Sequence, residues 1–88
     1  MLIVFEVHHM PSVEPKDLLS EEVRNETMAQ IMSVEEAAAV GFQAANLEAA
    51  PNRAVCLIAV AQKDARFIQS RLEASQAVTS FRGHEVAN

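Results

Sequence analysis

Hydrophobic and polar positions along this chain change rhythm several times, and each change marks an element. Leu2–His9 is rich in β-branched and aromatic residues and alternates as a strand does. Ile3, Phe5, Val7 and His9 share one side, while Leu2, Val4, Glu6 and His8 share the other. The first side is mostly apolar and should meet the core. Met10–Lys16 holds Pro11 and Pro15 and reads as a loop.

A helical rhythm follows through Val23, Thr27, Met28, Ile31, Met32 and Val34. Asp17 or Ser20 can cap it, and Glu21 and Glu22 suit the positive end of its dipole. The expectation is one helix over about residues 18–38, bent near Ser33, with Met28 and Met32 a turn apart as core fillers. Ser33-Val34-Glu35-Glu36 also matches a capping box, which would begin a new helix there. Gly41 divides two readings: the helix runs on to Ala50, or it stops at the glycine and Val40–Ala49 forms a strand. The second is preferred, because Pro51-Asn52 then turns the chain between two segments of similar length.

Ala54–Ala61 (AVCLIAVA) is apolar on both faces, the pattern of a central strand covered on both sides. Asp64 is placed to cap a helix through Ala65, Ile68 and Leu72. Phe81–Val86 closes the chain as a last strand. The order β-α-β-β-α-β predicts an α+β domain over residues 1–88. It is the ferredoxin-like plait: a four-stranded antiparallel sheet with two helices on one face. Helices on one face leave the other side of the doubly apolar strand bare. A chain of 88 residues buries a limited share of its surface, so a second copy, packed sheet to sheet as a homodimer, is the expected cover.

Composition narrows the class of protein. Half the residues are hydrophobic, and Gly and Pro together number five, which excludes collagen-like and disordered chains. A single cysteine, Cys56, cannot form an internal bridge, and its place in the central strand marks it as a small hydrophobe. Net charge is −5. An acidic chain is a poor partner for nucleic acid, where phosphate neutralisation dominates affinity. The apolar start Leu2–Phe5 is broken by Glu6 and lacks a basic lead, and no stretch approaches the length of a membrane span. The expectation is a cytoplasmic protein without membrane or nucleic-acid partners.

Candidate chemistry gathers on two strands. In the plait the last strand lies beside the first. Glu6 and His8 share a face of one, and Arg82 and His84 share a face of the other, opposite Phe81. If Phe81 points to the helices, all four lie together on the other face. That set could exchange protons, since imidazole titrates near neutral pH. It could instead hold a divalent metal ion through His8 and His84, or consist of ordinary strand residues. His8 and His9 are adjacent and point to opposite faces, so they do not share one ion. P-loop, GxSxG and HExxH motifs are missing, as are strand aromatics for RNA and paired cysteines for a metallochaperone.

Met1–Pro11 (MLIVFEVHHMP), AAPNRA at 49–54, CLIAVAQKDARFIQSRLEAS at 56–75 and VTSFRGHEV at 78–86 together resemble the small dimeric α/β-barrel proteins, the muconolactone-isomerase-like domains among them. The resemblance covers most of the chain and lies in its pattern. It implies a dimer with a pocket between sheet and helices or at the interface. It transfers no catalytic residue. No cofactor is expected, a divalent metal ion being the alternative. The leading functional expectation is a homodimeric ligand-binding or interaction domain. The alternatives are a small cofactor-independent enzyme, isomerase- or oxygenase-like, working through Glu6, His8, Arg82 and His84, and a metal-responsive sensor using the same histidines.

Overall fold

The computed structural model describes residues 1–39 and 54–86. The proposed strand Val40–Ala49 and the Pro51-Asn52 turn lie outside them. Within them the order is β1 (Leu2–His9), α1 (Glu21–Thr27), β2 (Gln30–Ser33), α2 (Val34–Ala39), β3 (Ala54–Ala61), α3 (Ala65–Ala74) and β4 (Val78–Val86). Short 3₁₀ turns at Pro15–Asp17 and Gln62–Asp64 lead towards α1 and α3. The fold is α+β, and the four strands form one antiparallel sheet in the order β2-β3-β1-β4. This arrangement is compatible with a ferredoxin-like fold.

The single helix expected over 18–38 is instead a helix, a strand and a second helix. Ser20 caps α1 by accepting a hydrogen bond from the Val23 amide at 3.2 Å. The Thr27 hydroxyl ends it, donating to the Val23 carbonyl at 2.7 Å and accepting from the Ala29 amide at 3.3 Å. Met28 follows in the left-handed region at φ 55°, a common way for a helix to stop. It is 83% exposed, so it is no core residue. Gln30–Ser33 then pairs with Cys56–Ala59 of β3. At Ser33 the serine half of the capping box forms: its Oγ accepts from the Glu36 amide at 3.1 Å and starts α2. The apolar spacing of Val23, Thr27, Ile31 and Val34 fits one continuous helix equally well. The free side of β3 decides the matter, because an apolar strand gains ladder hydrogen bonds from a neighbour.

One face of the sheet meets α1 and α3. Ile3, Phe5 and Val7 of β1, with Cys56, Ile58 and Val60 of β3, pack there against Leu18, Leu19, Val23, Ile68 and Leu72. The other face carries Val4, Leu57 and Ala59, which pack with Ala37 of α2 and with Met32 and Val86. Thus α1 and α3 share a face as expected, and a third helix lies on the opposite one. Val4, Leu57 and Ala59 are already 5%, 1% and 9% exposed in the single chain. The premise that only a second copy could cover them therefore fails at these positions.

The chain end differs by a few residues from its expected form. β4 begins at Val78 rather than Phe81. Asp64 precedes α3 as foreseen, but its side chain makes no capping bond. Phe81 packs edge-on against Phe5, ring centres 6.0 Å apart, which places it on the helix side.

Candidate functional site

The ladder between β1 and β4 decides which polar groups meet. Glu6 stands opposite Arg82, Val4 opposite His84 and His8 opposite Ser80. Opposed residues in a ladder share a face, and alternate residues along a strand do too. Glu6, His8, Arg82 and His84 therefore lie on the sheet face away from α1 and α3. Phe81, opposite Val7, lies on the other.

Glu6 is the centre of the group. One carboxylate oxygen is 3.0 Å from Nε2 of His8, and the other is 3.5 Å from Nε2 of His84. The Glu6 side chain is 13% exposed, His8 17% and His84 36%. A carboxylate so far from water needs compensating donors; His8 supplies a hydrogen bond, and His84 stands close by without completing one. A carboxylate oxygen only accepts, so Nε2 of His8 carries the proton in the 3.0 Å contact. In the neutral ring Nδ1 of His8 is the acceptor nitrogen. It is buried with no hydrogen-bond partner among the described residues, and Nε2 of His84 likewise makes no full hydrogen bond. Arg82 is exposed and makes no ion pair among the described residues. It stands beside the cluster without joining it.

This arrangement orients one imidazole with a carboxylate and leaves its second nitrogen without a partner among the described residues. That is the geometry of a base with an orienting partner. As a metal site it is weaker: among the described residues no group of three or more His, Cys, Asp or Glu side chains is arranged to hold an ion. His9, on the opposite face, donates from Nδ1 to the Met10 carbonyl at 3.0 Å and is 1% exposed. It takes no part in the cluster.

Cys56 is wholly buried, and burial pushes its thiol up to about 12. A thiol so far from ionising is a packing group, as its sequence position suggests.

A feature that residue patterns did not single out lies on the helix side. A cleft of about 560 Å³ opens between the start of α3 and β4, lined by Ile3, Phe5 and Gly83 and flanked by Lys63, Arg66 and Glu85. Gly83 stands opposite Phe5, and a Cβ added there would come within 3.2 Å of the Phe5 ring. A glycine inside a strand pattern is the one sequence signal for such a close approach.

No protein-family model, no curated protein and no solved structure matches this chain. No described helix is long and apolar enough to cross a membrane.

Proposed function

We propose that this chain is a small ligand-binding domain of the ferredoxin-like βαββαβ type that works as a homodimer. The meeting surface is the β1–β4 half of the sheet face that carries Glu6, His8, Arg82 and His84. The carrying observation is the Glu6 carboxylate, 13% exposed and held between two imidazoles at 3.0 and 3.5 Å on a face that α2 covers mainly over β2 and β3. Leu2, 36% exposed on the same face, adds apolar surface next to these groups. A second copy there would dehydrate the cluster further and enclose it with a polar small molecule that gives or accepts hydrogen bonds. Gel filtration with light scattering at micromolar concentration tests the assembly. A mass of about twice 9.6 kDa is expected, reverting to 9.6 kDa in Leu2→Glu. A native protein that stays at 9.6 kDa overturns the dimer.

A second reading is favoured by the Glu6–His8 contact itself. The domain would then be a cofactor-independent enzyme, isomerase- or oxygenase-like. An imidazole of the cluster would take a proton from an organic substrate, and Arg82 would stabilise the resulting anion. Nitrogen-15 NMR of the imidazoles tests the dyad. His8 should be in the Nε2–H tautomer, and Glu6→Gln should remove that preference. Equal populations of the two tautomers in the native protein count against it. Metal analysis of the native protein by mass spectrometry tests the sensor alternative, in which His8 and His84 hold a divalent ion.

A further inference from the structure

The helix-side cleft adjoins a feature that the sheet leaves unused. β4 is an outer strand of nine residues, and all of it is exposed or half-buried. Its outer edge pairs with no strand among the described residues. An outer strand normally carries features that deter further pairing, such as a proline or a closely spaced row of charges. β4 has no proline, its formal charges are limited to Arg82 and Glu85, and its one register irregularity, at Thr79, lies near its start and leaves Ser80–Val86 regular. A free edge of this length offers alternate amides and carbonyls to an added strand.

The cleft gives that edge a chemical preference. Gly83 stands opposite Phe5, so it lies on the helix side, where the Phe5 ring packs close against it. A residue added opposite Gly83 would send its own side chain to the same side, towards the cleft. Lys63 and Arg66 flank the cleft there, and neither makes an ion pair among the described residues. Both are exposed, so an acidic side chain entering the cleft would meet two cations. Glu85 is the one acid lining the cleft. It stands two residues along on the same side and disfavours an acid opposite itself.

We propose that β4 is a docking edge for an extended peptide. The peptide adds as a fifth strand and places an acidic side chain opposite Gly83, against Lys63 and Arg66. Its backbone hydrogen bonds supply the general affinity, and the acid sets the register. This surface lies on the opposite side of the sheet from Glu6 and His8 and does not depend on their role.

The probe is an end-blocked eight-residue peptide alternating valine and threonine, with one central glutamate. Glutamine, lysine and backbone N-methylated versions are its controls. Nitrogen-15 NMR titration should perturb the amides of Val78–Val86 and of Ala65 and Arg66. The glutamate peptide should bind about tenfold tighter than the lysine peptide, as two partly screened charge contacts allow. Lys63→Gln combined with Arg66→Gln should erase that difference while leaving the glutamine peptide unchanged. The double variant alters exposed side chains only, so its fold should persist. The proposal is overturned if the perturbed amides lie away from β4, if N-methylation has no effect, or if the glutamate and lysine peptides bind alike. It is also overturned if the edge proves to be occupied by β4 of a second copy.

Discussion

Alkaline unfolding should reverse the stability order of the native protein and its Cys56→Ala variant. Cys56 has no solvent exposure, and burial pushes its thiol from 9.0 up to about 12. In the unfolded chain the thiol ionises near its ordinary value. Between these limits the unfolded state holds fewer protons than the folded one, so stability falls as pH rises. At about 1.4 kcal/mol per unit, the loss is about 1 kcal/mol at pH 10 and about 3 at pH 11, reaching about 4 above pH 12. At neutral pH the alanine variant is the weaker protein by about 1 kcal/mol, because it leaves a cavity the size of one sulfur. The two curves should therefore cross near pH 10. Urea denaturation followed by circular dichroism at pH 8, 9, 10 and 11 measures this. The chain has no Trp for fluorescence, and with no Tyr it lacks the phenol that would titrate in the same window. Lys16, Lys63 and the N-terminus are common to both proteins and cancel in the difference. Curves that stay parallel from pH 8 to 11 would refute the reasoning and mean that the thiol ionises without unfolding.

Further outcomes follow from particular contacts. Glu6→Gln should cost about 1–2 kcal/mol in urea denaturation, since it removes a charge-assisted hydrogen bond from a mostly buried site. Ser33→Ala removes the cap of α2 and should cost about 1 kcal/mol by the same method; no change would mean that tertiary contacts alone hold α2. Met28→Gly should raise stability by up to about 1 kcal/mol, because Met28 is exposed and stands at φ 55°. Ile68→Ala, at a wholly buried position between α3 and the sheet, should cost about 2–5 kcal/mol.

Some of the fold was legible because a residue pattern had a single physical solution. An eight-residue apolar run between polar flanks must be covered on both sides, and β3 is. Alternation in β1 put Ile3, Phe5 and Val7 in the core and Glu6 and His8 on the other face. The pairing of Phe81 with the helix side carried Arg82 and His84 to that same face. The segment around residues 20–39 was not legible, because its apolar spacing satisfies a long helix and a helix–strand–helix alike. Local signals were present there: a threonine that caps the helix end, a capping box at Ser33 and β-branched Ile31. Their weight depends on what lies alongside.

The sequence by itself determined the class of fold, the outermost strands of chain order, the buried role of Cys56 and the pairwise sharing of a face by Glu6 with His8 and by Arg82 with His84. These follow from periodicity, which acts over a few residues. The register and the placement of Phe81 brought the two pairs to the same face. The tertiary structure decided that Gln30–Ser33 pairs with β3, and that α2 crosses to the second face and covers Leu57 and Ala59. It also set which cluster members touch: Glu6 reaches both histidines, while Arg82 stays in solvent. Those outcomes depend on competition for the free edge of β3 and on distances of a few ångströms across strands, neither of which a pattern along one chain contains.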